Sequence, residues 1–122
     1  MTEKDVVAKI KSWLIQCGWT VLWANHKKRN GVDIAAEKNG QRWYIETKGD
    51  AKHDDIANQD AAFYSAIGQV VAYRVDGNAK YSIAFPSKKR YEDRWRKLPC
   101  AARCAMDTCL FVTASADPTE ES

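Results

Sequence analysis

No stretch of the chain approaches the roughly 18 consecutive apolar residues that a membrane span needs. The opening Met1-Thr2-Glu3-Lys4-Asp5 has neither the basic nor the apolar region of a secretory leader. A cytoplasmic protein with no membrane partner is therefore the expectation. An excess of one charge is missing too, since 19 Lys and Arg stand against 16 Asp and Glu, and a net charge of +3 does not by itself name a nucleic-acid partner. Internal repeats and linkers are absent, so 122 residues make one domain with a modest core. Bulk is what the sequence has: 45% of residues are hydrophobic, and five Trp, five Tyr and three Phe exclude disorder over most of the length. Residues 1–114 read as the domain and 115–122 as a flexible tail.

The positive charge is clustered. His26-Lys27-Lys28-Arg29 and Lys88-Lys89-Arg90 are compact basic runs that could meet phosphates, although any such run can equally be a solvated loop. Cys100, Cys104 and Cys109, with Cys17 as a fourth, invite a metal site. Their spacing misses the usual two-residue knuckle of structural zinc, so reduced thiols buried in the core are preferred.

Hydrophobic periodicity orders the chain. Val6, Val7, Ile10, Trp13, Leu14 and Cys17 form a helical stripe, with Thr2 as N-cap and Gly18 as stop. Trp19 to Ala24 predicts a strand. Val32 to Lys38 and Gln41 to Lys48 flank Asn39-Gly40, the dipeptide best suited to a two-residue type I′ hairpin. Asp54 or Asp55 caps a helix running to about Val75, with Gly77 as end signal. Tyr81 to Phe85 is a short buried strand, Ser87 caps a charged helix to Leu98, and a helical turn over Cys100 to Met106 leads into a last strand, Cys109 to Thr113. The order αβββαβαβ predicts an α/β domain with a central mixed sheet flanked by helices.

The hairpin has a chemical consequence. With Asn39 and Gly40 as the loop, paired residues keep one sum of numbers, so Asp33 falls opposite Glu46 and Lys48 shares their face. Two carboxylates facing each other across a ladder repel. A divalent cation reverses that sign: hard oxygen ligands suit Mg²⁺ or Mn²⁺, and an adjacent lysine can position a water for attack on phosphorus. The competing interpretation is a surface charge cluster in which Lys48 neutralises both acids.

Gly31-Val32-Asp33-Ile34, a hairpin, then Glu46-Thr47-Lys48 resembles the PD-(D/E)XK nuclease superfamily, with its restriction-endonuclease-like fold. The element order over residues 2 to 113 is similar to the small stand-alone members. Val32 stands where the motif name has Pro. The resemblance implies that Asp33 and Glu46 bind the metal, that the Thr47 carbonyl adds a ligand, and that Lys48 positions the nucleophilic water. It matches Glu3 to an acidic residue that many members add to the metal shell; the alternative is a first-turn acid favoured by the helix dipole. It matches Gln69 to a helical glutamine near the site, on a stripe with Gln59, Ala62, Ala66 and Tyr73.

The expected function is thus metal-dependent hydrolysis of DNA, structure-selective or nonspecific because recognition insertions are absent. Lys27, Lys28 and Arg29, and then Lys88, Lys89 and Arg90, are the expected DNA contacts, and a homodimer follows if both strands are cut. A non-catalytic nucleic-acid-binding module and a partner-dependent subunit of a DNA-processing complex are the alternatives.

Overall fold

A computed structural model describes residues 1–24, 32–50 and 55–122. The elements are α1 (Glu3–Gln16), β1 (Thr20–Ala24), β2 (Ile34–Lys38), β3 (Gln41–Thr47), α2 (Ile56–Tyr73), β4 (Lys80–Pro86), α3 (Lys89–Lys97), α4 (Cys100–Cys104), β5 (Thr108–Val112) and β6 (Thr119–Glu121). One sheet holds all six strands in chain order; β3, β4 and β5 run parallel, and the other neighbours are antiparallel. The mixed α/β, restriction-endonuclease-like architecture expected from the sequence is the one observed.

Two parallel steps in the same direction along the sheet explain the layering. Right-handed crossovers β3–α2–β4 and β4–α3–β5 must put their helices on one face. There Phe63, Val70, Tyr81, Ile83, Phe85, Tyr91 and Trp95 form one core. α1 covers the other face, where Val6, Ile10 and Leu14 pack on Ile34, Trp43, Ile45 and Leu110. Each such aliphatic side chain, fully buried, contributes about 1.5–3 kcal/mol.

Local chemistry sets the ends of the elements. Thr2 Oγ1 accepts the Asp5 N–H at 3.1 Å while the Asp5 carboxylate accepts the Thr2 N–H at 2.9 Å, a reciprocal cap on α1. Gly18, at φ 88°, ends it. Asn39 and Gly40 take φ values of 52° and 80°, as a type I′ turn requires. Asp55 caps α2 by accepting the Asn58 N–H at 2.8 Å; Asp54 lies outside the described residues.

Several expectations are corrected. α2 stops at Tyr73, and Gly77 lies in the turn before β4. Ser87 does not cap α3: Lys88 holds the N-cap position with no side-chain cap on the helix, and the Ser87 N–H donates to the Val112 carbonyl at 2.8 Å. Residues 115–122 are more than a tail, since Thr119–Glu121 pairs with β5. Of the four cysteines only Cys109 is buried; Cys17, Cys100 and Cys104 are exposed. α4 is one short turn without a buried residue, which is why its two thiols stay at the surface. Among the described residues no helix is long and apolar enough to cross a membrane.

Candidate functional site

The hairpin register is as expected from Lys38↔Gln41 to Ile34↔Ile45, and the next steps are where the ladder gives way. Continued, it would set Val32 against Thr47, so that the Val32 carbonyl accepted the Thr47 N–H. That carbonyl instead accepts from Trp23 Nε1 at 3.0 Å. Asp33 takes its place: Oδ2 accepts the Thr47 N–H at 2.9 Å and the Thr47 hydroxyl at 2.8 Å. The expectation that Asp33 faces Glu46 as a ladder pair is corrected accordingly. Asp33 sits at a bend just before β2, and its carboxylate turns across to Thr47 at the end of β3.

This leaves Asp33 1% and Glu46 0% exposed. Asp33 Oδ1 is buried and has no hydrogen-bond partner among the described residues. A carboxylate oxygen held this way is costly unless something satisfies it. On the opposite strand, Lys48 N–H donates to the Ala84 carbonyl at 3.0 Å. Backbone groups alternate sides along a strand, so those of Thr47 face away from β4, toward Asp33. The Thr47 carbonyl thus points to the edge that Asp33 occupies. Lys48 follows Glu46 by two positions and is half-buried.

Glu3 opens α1, whose first turn meets the end of β3 at Gly49. A Cβ on Gly49 would lie 2.2 Å from Glu3 N and 2.5 Å from Thr2 C, both backbone atoms that cannot yield. The Asp50 N–H donates to the Met1 carbonyl at 2.8 Å, and the Met1 ammonium pairs with the Asp50 carboxylate. Burial pushes the Asp50 carboxyl up, but the hydrogen bonds from that ammonium and from Lys88 outweigh it and hold the group below its ordinary range. Gly49 and Asp50 went unnoticed in the sequence. Their only signal was a glycine directly after Glu-Thr-Lys.

Gln69 lies on α2 with Oε1 buried and, among the described residues, without a hydrogen-bond partner. Ala66 beside it is fully buried and Ala62 and Gln59 are partly so, whereas Tyr73, the last member of the expected stripe, is exposed. The basic residues divide. Lys27, Lys28 and Arg29 lie outside the described residues, as does His26. Lys88 pairs with Asp50 at 3.2 Å, and Arg90 is committed to Asp60, with Nε and Nη2 at 2.9 and 2.8 Å. Lys89 is exposed.

Among the described residues no group of three or more His, Cys, Asp or Glu side chains is gathered for a metal ion. The donors present still fit a hard divalent cation. Mg²⁺ is commonly bound through one or two carboxylates, with waters and substrate phosphate completing its shell. Asp33 Oδ1 offers one buried oxygen with no hydrogen-bond partner among the described residues.

The fold and the strand-end carboxylates define a restriction-endonuclease-like α/β domain. Two solved structures share that fold: an XisH family protein from Nostoc punctiforme PCC 73102, with a TM-score of 0.63 and 15% identity over 96% of this chain and 98% of that one, and an FdxN element excision controlling factor protein from Anabaena variabilis, with a TM-score of 0.58 and 24% identity over 88% of this chain and 89% of the other. No protein-family model and no curated protein sequence matches the chain.

Proposed function

We propose that the chain is a Mg²⁺- or Mn²⁺-dependent endonuclease of the PD-(D/E)XK kind, hydrolysing DNA phosphodiester bonds in a structure-selective or nonspecific way. One observation carries this: Asp33 and Glu46 are both buried at the open end of the β2–β3 hairpin, and Asp33 Oδ1 has no hydrogen-bond donor among the described residues. A buried carboxylate oxygen without a donor costs free energy that a bound cation would offset.

Asp33, Glu46 and the Thr47 carbonyl would hold the ion, with Glu3 as a further acidic group. When bound, it would polarise the scissile phosphate and lower the pKa of a coordinated water. Asp33 Oδ2 is held by Thr47, which fixes the rotation of the carboxylate and leaves Oδ1 for the ligand. Lys48 orients the attacking water through its ammonium group and stabilises charge developing on the phosphate oxygens. Gln69, from α2, offers an amide to the same water or phosphate. Gly49 holds the first turn of α1 against the strand end, and so sets how near Glu3 can come.

The test is a panel of single-stranded, duplex, flapped and four-way DNA with Mg²⁺ or Mn²⁺. At least one form is cleaved, EDTA abolishes cleavage, and Lys48→Ala lowers the rate by about 10²-fold or more. Cleavage undiminished in excess EDTA, or full activity in Lys48→Ala, overturns the mechanism. The name of one fold neighbour, an excision controlling factor, favours a second reading: a subunit that cuts only within a DNA-processing complex. Isolated protein would then bind Mn²⁺ in calorimetry and leave every DNA form intact.

A further inference from the structure

Trp23, Tyr44 and Tyr81 form a row of rings across β1, β3 and β4, with centroids 6.2 and 5.3 Å apart. With Val32, with Tyr73 at the end of α2 and with Val75 just beyond it, they line a cavity of about 180 Å³. An irregularity in β1 creates it. Val21 pairs with Ala36, on the α1 face, and simple alternation would send Trp23 the same way. The extra residue between them pairs Trp23 with Ala35 instead, turning the indole onto the face that carries Tyr44. The cavity is open: Trp23 is 42% exposed and Tyr73 36%.

We propose that this cavity receives one unpaired base of a DNA strand whose neighbouring phosphate lies at Asp33 and Glu46, an inference that rests on the nuclease reading. Size permits it, because an apolar cavity of about 150 Å³ accepts a benzene-sized ring. Continuity with the site favours it. Val32 lines the cavity and precedes Asp33, and Tyr44 precedes Glu46 by two residues on one face of β3, about 7 Å along the strand. Two guanidinium groups lie at the rim of the cavity: Arg42 Nη1 donates to the Tyr44 hydroxyl at 3.4 Å while its Nε stands 3.7 Å from Glu37, and Arg74 lies 5.1 Å from the Tyr81 ring while pairing with Asp107 at 3.5 Å. The one carboxylate lining the cavity, Asp76, is engaged in its own turn through the Asn78 N–H at 3.0 Å. Stacking on rings is tolerant of sequence, whereas a paired base must first leave its stack, so single strands and flaps are the preferred occupants.

Anisotropy titration in EDTA, where nothing is cut, tests the site. The probes are a labelled single-stranded oligonucleotide, the same strand as a duplex, and the same strand carrying abasic nucleotides. Wild type binds the intact single strand tightest. Tyr73→Ala weakens that complex about tenfold and leaves duplex and abasic affinities unchanged; Tyr73→Phe restores most of the loss. A Tyr73→Ala protein that binds the intact strand like wild type, or that loses equally on the abasic strand, overturns the proposal and leaves the cavity to a protein partner or a second copy. Failure of cleavage with Mg²⁺ is a separate outcome: it removes the nuclease reading while base-dependent binding in EDTA would still stand.

Discussion

At the scale of single residues, Asp33 does two things that substitution can separate. Its Oδ2 satisfies the buried N–H and hydroxyl of Thr47, while its charge and free Oδ1 are what a cation would use. Asp33→Asn keeps an acceptor for Thr47 and loses the charge. Asp33→Ala leaves Thr47 unsatisfied, at a cost of about 1–3 kcal/mol. Both variants are expected to be inactive in DNA cleavage, but in urea unfolding only Asp33→Ala moves the midpoint down markedly. An equal midpoint for the two would mean that the Thr47 contact does not contribute to stability. Asp33, Glu46 and Lys48 were legible in the sequence because a tightly specified turn fixes the register for several residues on either side. The exchange of acceptors at the ladder's end was not legible. It depends on Trp23, ten residues earlier on another strand, taking the Val32 carbonyl, and no local pattern encodes that. Gly49 was hidden for the same kind of reason, since the need for a missing Cβ arises only when α1 docks.

At the scale of elements, α2 and α3 are joined by one carboxylate gripped twice. Asp60 accepts from Nε and Nη2 of Arg90 and again from Nε and Nη2 of Arg94, at 2.8 to 3.1 Å. The Arg90 hydrogen bonds, and then those of Arg94, hold the Asp60 carboxyl well below the usual carboxylate range. A group depressed in the fold stabilises it above the unfolded pKa of about 4 and loses that contribution as pH falls through the folded value. Asp60→Asn is therefore expected to melt below wild type at neutral pH. The gap narrows as the pH drops under about 4, and parallel thermal melts of the two proteins across that range check it. A gap that stays constant down to strong acid would show that the clamp is not what the substitution removed. The helices and the central strands could be read from their apolar spacing, yet this clamp could not, because Arg90 and Arg94 look like any solvent-facing basic turn until Asp60 arrives from another helix. β6 was missed for a different reason: Thr119-Glu120-Glu121 has no apolar alternation, and its place comes from ladder bonds to β5 and from side chains reaching it, Arg96 to Glu121 at 2.8 Å and Lys80 to Glu120.

At the scale of the whole molecule, the sheet has two edges of unequal risk. β1 is short and half-exposed, whereas β5 is buried along its full length and would, without β6, present an apolar strand with open backbone groups. Truncation after Ala114 is expected to lower Tm, by about 4 °C or more for each kcal/mol lost, and to cause concentration-dependent light scattering on mild heating. A truncated protein as soluble and as thermostable as the full chain would assign β6 no protective role. The strand order carries a consequence for synthesis as well. Because space repeats chain order from β1 to β6, no strand has to be inserted between two that are already paired. As the nascent chain leaves the ribosome at about 5–20 residues per second, each new strand can add to the growing rim of those before it. Of the described strands, β6 emerges last and covers the buried strand β5.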